Sequence, residues 1–184
     1  YLFEHEGVRF LVDCGLFQGS RYAETLNYEP FPYDVKQLDA LLLTHSHADH
    51  MGRVPKLYRE GFRGKIYATE PTVEITKIAL PDNYNLIQEE ARRDGHKPLF
   101  TPMDIANSFA LFAPVKYNDV VHVGKNITAI FHDAGHILGS AIIEIQWIEN
   151  GVMKKMYCTG DLGNVPSPLL RPPYQPDDAD YALI

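Results

Sequence analysis

Apolar and polar positions follow two different rhythms along this chain. In the first half, short apolar runs alternate with stretches of helical spacing. Residues 1–5 and 8–13 flank Glu6-Gly7 and predict a β-hairpin. Residues 39–43 predict a short buried strand, and residues 65–68 another. Between these two, residues 50–60 predict a helix with Pro55 early in it. Residues 70–93 keep helical spacing, with an interruption expected at Pro81, which has no N–H to give to the helix. Thr101-Pro102 predicts a helix start, with Thr as N-cap and Pro in the first position, running to about Phe112. Residues 16–37, rich in Tyr, Phe and Pro, predict a long loop.

The second half is a series of strands, at residues 119–123, 126–132, 141–148 and 152–158. Asn150-Gly151 supplies the hairpin turn between the last two. A loop at residues 162–178 follows, holding Pro166, Pro168, Pro172, Pro173 and Pro176. Residues 180–184 form a last apolar strand with no turn after it. The chain also starts without Met, so both ends are expected to be cut. Strands mixed with helices predict an α/β (α+β) layered domain, and 184 residues fit one such domain.

Composition narrows this reading only slightly. Hydrophobic residues at 45% and charged residues at 22% are the balance of a globular protein, and no apolar run has bilayer-crossing length. Cys14 and Cys158 each lie beside an apolar run and are expected to be buried free thiols, which makes the cytoplasm the default location. A net charge of −7 argues against broad electrostatic attraction of nucleic acid, though not against a local groove.

The candidate chemistry is concentrated in one loop. Thr44-His45-Ser46-His47-Ala48-Asp49-His50 follows directly on the apolar run Ala40-Leu41-Leu42-Leu43, and it holds three of the 8 histidines. His45 and His47, two apart in an extended loop, can share one metal, while Asp49 and His50 can face a second. Imidazole with carboxylate suits Zn²⁺. Taken alone the run could be a polar loop or a capped helix start, but four ligand-type residues in six positions favour metal. His136 stands between Gly135 and Gly139, where the backbone can turn tightly. It reads as a turn histidine by itself and as a third ligand once the His pair is given. Asp161, in Thr159-Gly160-Asp161-Leu162-Gly163, ends another strand and could bridge two cations, or simply serve a Gly-rich turn. His5, His96, His122 and His132 read as surface, turn or strand histidines with no role.

His45-x-His47-x-Asp49-His50 is similar to the signature of the metallo-β-lactamase superfamily, and Asp13, His136 and Asp161 match its other motifs in order. The resemblance implies a four-layer αβ/βα sandwich, with two zinc ions at strand ends between the sheets. It also implies that Asp13 hydrogen-bonds the ligand loop and need not touch metal. Asp13-Cys14-Gly15-Leu16-Phe17-Gln18-Gly19, Gly135-His136-Ile137-Leu138-Gly139-Ser140-Ala141 and Thr159-Gly160-Asp161-Leu162-Gly163 further resemble the β-CASP branch of RNA-processing nucleases. In that branch a strand like residues 180–184 leads to an inserted domain. That domain and a later segment supply a general-acid histidine and a last ligand to the second metal, and neither is in this chain. Residues 1–184 are thus expected to be the N-terminal portion of the domain, with the first metal position nearly complete and the second short of a ligand.

The resemblance implies a zinc-dependent phosphodiesterase cleaving single-stranded RNA. His45, His47 and His136 would hold the first metal, and Asp49 and His50 the second. Asp161 would lie between them, and Asp49 would also orient the attacking water. Two alternatives stay open: a small-molecule thioester or lactone hydrolase of the glyoxalase II type, and a non-catalytic scaffold relative. By itself the chain is expected to be poorly active, and to associate with itself or with a missing C-terminal segment.

Overall fold

The computed structural model describes residues 1–165 and 167–184; Pro166, one of the prolines expected in a loop, lies outside the described residues. Among the described residues, ten strands form two five-stranded sheets. The first has the order β1 (Leu2–His5), β2 (Val8–Val12), β3 (Ala40–Leu42), β4 (Lys65–Thr69), β5 (Phe112–Val115). The second runs β10 (Tyr181–Leu183), β9 (Val152–Cys158), β8 (Ala141–Glu149), β7 (Ile127–Asp133), β6 (Val120–Gly124). The first sheet opens with an antiparallel hairpin and continues with three parallel pairings. The second is antiparallel from β6 to β9, with β10 parallel to β9.

Strand periodicity explains how the layers stack. Successive side chains point to opposite faces. In the first sheet, Phe10, Val12, Ala40 and Leu42 therefore face the second sheet, while Leu11, Leu41, Leu43, Ile66 and Ala68 face the helices. Ile127, Ala129, Phe131, Ala141, Ile143 and Ile145 close the inter-sheet core from the other side. The α-helices among the described residues are α1 (Arg21–Thr25), α2 (Ala48–Met51), α3 (Val54–Arg59), α4 (Glu70–Arg93) and α5 (Pro102–Ser108), with short 3₁₀ turns at Val35–Gln37 and Phe109–Leu111, and α2 to α5 supply buried side chains to the helix-side core. The outer face of the second sheet is apolar at Ala134, Ile142 and Tyr157, against which Tyr174 packs. Two sheets with helices outside match the expected αβ/βα sandwich. Cys14 and Cys158 are buried free thiols, as expected.

Several elements differ from the pattern-based expectation. The helix expected over residues 50–60 is two helices, because Arg53 turns its N–H to the Cys14 carbonyl at 2.9 Å and Pro55 takes a first-turn position of α3, where it needs no donor. Helix α4 passes through Pro81 without interruption. Pro81 lies on the exposed side, so the carbonyl it leaves unpaired can reach water, while Thr76 and Leu80 before it and Ile87 and Ala91 after it anchor the buried side. Within the expected loop, Ser20 Oγ caps α1, a five-residue helix with no buried residue and hence no apolar stripe to reveal it. The helix after Thr101 ends at Ser108, and a single 3₁₀ turn leads into β5, which the sequence pattern missed. Pro114 argues against a strand, but β5 is an edge, where a missing N–H costs no pairing.

Candidate metal centre

Four strand ends converge on one place. β2 delivers Asp13, β3 delivers residues 44–50, β7 delivers His136 and β9 delivers Asp161. Both sheets thus contribute, and the backbone ties them together where Ala141 N donates to the Thr44 carbonyl at 2.8 Å.

One atom each from His45, His47, His136 and Asp161 lies within 4.8 Å of the others. His45 Nε2 is 3.0 Å from His47 Nδ1, and His136 Nε2 is 3.2 Å from the same atom. Asp161 Oδ2 is 3.4 Å from His136 Nε2 and 3.9 Å from His45 Nε2. Four donors around a tetrahedral zinc at about 2.0–2.1 Å stand about 3.3–3.4 Å apart, so these spacings fit one such ion. The protonation state fits as well. Burial, followed by the charges His50, His47 and His136 would carry, lowers the His45 pKa to about 3. Its ring is neutral at ordinary pH and offers a lone pair.

Asp49 and His50 sit at the edge of this cluster rather than within it. His50 Nε2 is 3.4 Å from Asp161 Oδ1 and 3.7 Å from Asp49 Oδ2. Asp161 therefore presents one oxygen to the three-histidine group and the other to His50. Burial pulls the His50 pKa down, but hydrogen bonding and charge from Asp13, with Asp49 and Asp161, outweigh it and raise the pKa.

Asp13 organises the ligand loop. Its Oδ1 accepts from Thr44 N and its Oδ2 from Thr44 Oγ1, both at 2.8 Å, and His50 Nδ1 donates to Oδ2 at 2.7 Å. Asp13 has a φ of 60°, an uncommon conformation that brings its carboxylate to this loop. Gly15 allows the close approach: a Cβ there would overlap the Asp49 carbonyl. Sequence reasoning gave Thr44 and Ser140 no individual role. The Thr44 hydroxyl also stands 3.0 Å from His45 Nδ1, fixing the face of that ring. Ser140 Oγ accepts from His136 N at 3.1 Å and Ile137 N at 3.2 Å, and so holds the third histidine's turn closed. A hydroxyl next to an expected ligand was the available signal in both cases. Of the four histidines given no role, His132 is a strand histidine on β7, buried against Glu144 with Nε2 to Oε2 2.7 Å. Beside the site opens a cavity of about 690 Å³, lined by Asp49, His50, Arg53, Phe17, Phe31 and Tyr33 among others.

Comparison with known proteins gives a concordant picture. Residues 2–160 match the family model described as a metallo-beta-lactamase superfamily domain. The chain is 40% identical over 177 residues to Ribonuclease TTHA0252 of Thermus thermophilus, covering 96% of this chain and 38% of that protein. It is 31% identical over 164 residues to the transcription termination factor FttA of Methanocaldococcus jannaschii, covering 89% of this chain and 25% of that one. The chain thus spans well under half the length of these relatives. Among solved structures, BJP-1, a subclass B3 metallo-beta-lactamase of Bradyrhizobium japonicum, matches with a TM-score of 0.52 at 20% identity over 86% of this chain and 54% of that one. That likeness concerns the fold alone. No helix among the described residues is long and apolar enough to cross a membrane.

Proposed function

The chain belongs to the metallo-β-lactamase superfamily, and from that premise we propose that it is the metal-binding part of a β-CASP zinc-dependent nuclease that hydrolyses phosphodiester bonds in single-stranded RNA. The observation that carries the hydrolase reading is the convergence of His45, His47, His136 and Asp161. The RNA reading is supported by identity to a ribonuclease along 96% of the chain. In this proposal the domain is the N-terminal portion of a longer protein, a reading that the small share of the relatives' length it spans supports. An inserted β-CASP domain and further strands belong to the rest of that protein, which works in the cytoplasm and with RNA as its partner.

In this reading two zinc ions are held. His45, His47 and His136 would hold the first, Asp49 and His50 the second, and Asp161 would serve both. Bound zinc lowers the pKa of water toward neutrality and offsets charge on phosphoryl oxygens. The protein's own groups do the rest. Asp49, whose side chain is about half exposed, orients the attacking water and accepts its proton. Asp13 keeps His50 Nδ1 occupied, so that Nε2 faces the site. Phe17, exposed and with the Arg53 guanidinium 4.3 Å over its ring, lines the neighbouring cavity with a stacking surface of the kind single-stranded nucleic acid uses.

The full-length protein is expected to hold about two zinc ions per chain, as a two-metal site requires, and to cleave an RNA oligonucleotide faster than a glutathione thioester. Parallel assays with elemental analysis check this. Faster thioester turnover would move the protein to the small-molecule hydrolases, and a folded protein without zinc would leave only the scaffold alternative.

A further inference from the structure

On the outer face of the second sheet, away from the ligands, lies a buried polar cluster with no part in the reaction described above. His132 on β7 and Glu144 on β8 are both buried, with His132 Nε2 2.7 Å from Glu144 Oε2. The second ring nitrogen, Nδ1, is 3.0 Å from Asn118 Oδ1. Glu144 is fully occupied: Tyr157 OH donates to Oε2 at 3.1 Å and Gln146 Nε2 to Oε1 at 2.6 Å. The His132 ring is therefore held at both nitrogens and cannot turn. Tyr174, from the connection between β9 and β10, lies flat on it, with ring centroids 3.9 Å apart and planes 10° apart.

Burying an ionisable pair is costly, and apolar residues of similar size often stabilise a fold as well or better. Orientation is what such a pair adds, and what it orients here leads directly to the site. Tyr174 N donates to the Asp133 carbonyl at 2.8 Å, and Asp133 Oδ1 accepts from Gly135 N at 2.9 Å. The same connection crosses the His136 turn at two places. A Cβ on Gly135 would come 2.5 Å from the Arg171 carbonyl, and one on Gly163 would overlap the Gly135 carbonyl. Gly163, two residues beyond Asp161, also donates to the Ala134 carbonyl at 3.0 Å. One strap thus packs against the loop that carries His136 and, at its start, carries Asp161.

We propose that His132 and Tyr174 are positioning residues for the metal centre. Held by Glu144 and Asn118, His132 is a fixed platform; Tyr174 stacks on it and clasps the strap over the His136 turn, which sets the separation of His136 and Asp161. The inference rests on the metal reading of the cluster above. It is tested on the full-length protein by zinc affinity from chelator competition and by the absorption spectrum of the cobalt-substituted protein. Tyr174→Ala and His132→Ala should each weaken zinc binding about tenfold, in the range for groups that support ligands. Both should alter the cobalt spectrum, and the double variant should lose no more than either single one. Tyr174→Phe keeps the stacked ring and should bind as the wild type does. If His132→Ala fails to fold, the Tyr174 pair of variants decides alone. A wild-type protein that binds no zinc overturns both readings. A zinc-binding wild type matched by Tyr174→Ala in affinity and spectrum, or losses that multiply in the double variant, overturns the clasp alone.

Discussion

The two sheets contribute to the same centre in different ways. The first supplies His45, His47, Asp49 and His50 from one turn, which Asp13 and Thr44 fasten from inside the same sheet. The second supplies one residue from each of two separate turns, His136 and Asp161, which Ser140 and glycine-permitted backbone contacts hold together. A ligand group drawn from one turn keeps its internal geometry whenever that turn forms. A group drawn from two turns depends on what packs between them. The first region should therefore fail through loss of its own side chains, and the second through loss of alignment.

The largest effect should come from His47→Ala. His47 Nδ1 lies within 3.2 Å of both other histidines in the cluster, so its removal opens the first position completely. Zinc at that position and nearly all hydrolysis should be lost, a drop of more than about 100-fold given what merely supporting residues contribute. Elemental analysis and single-turnover cleavage measure both. Asp161→Ala should come next and should separate the two regions. Its oxygens face His136 on one side and His50 on the other, so both metals should weaken together. Loss of only one metal would show that Asp161 does not bridge.

Asp13→Asn should have a smaller effect, about 10- to 100-fold in zinc affinity, because it keeps the shape but loses the charge that fixes His50. A chelator titration reads it. If Asp13→Asn matched the wild type, the first region would not depend on its carboxylate clamp.

The smallest effect is one of pH on the metal-free protein. His45 has a folded pKa near 3 against an ordinary value of 6.5, so the unfolded chain binds the extra proton between these values. Stability from this group is fully present above about pH 6.5 and is lost as pH falls toward 3. His50, with its raised pKa, acts in the opposite sense: its contribution is present at low pH and lost as pH rises through the folded value. Comparing melting temperatures of wild type and His45→Gln from pH 7 to 5 isolates the first contribution. The wild type should fall more steeply, and parallel curves would show that His45 is not held neutral.

How much of this was legible in the sequence follows the same division. The ligand turn could be read directly, because its residues are adjacent and follow an unmistakable apolar strand. His136 and Asp161 could be read as ligands only once the His pair was in hand, and the family resemblance then strengthened them, since a histidine or aspartate among glycines is by itself an ordinary turn residue. Strands of the second sheet were clear from alternation and from Asn150-Gly151, which adopts φ of 52° and 78° in the hairpin. β5 was hidden by Pro114, and α1 by having no buried face. The His132–Glu144 pair was invisible because its partners are 12 residues apart in sequence and adjacent only through antiparallel pairing.

The contrast between hairpin-linked and parallel strands also sets an order in time. β6 to β9 are joined by short turns, so their registers can form from local contacts. Each parallel pair from β2 to β5 must first close a chain excursion that includes helices, and β10 must wait for residues 159–180 to loop back to β9. Contact order therefore predicts that β6 to β9 form early and that the first sheet and β10 close against them later. A zinc ion held as proposed would need atoms from both sheets, so the polypeptide should capture it only near the end of its route, and metal uptake during refolding should act as a clock for the last docking step.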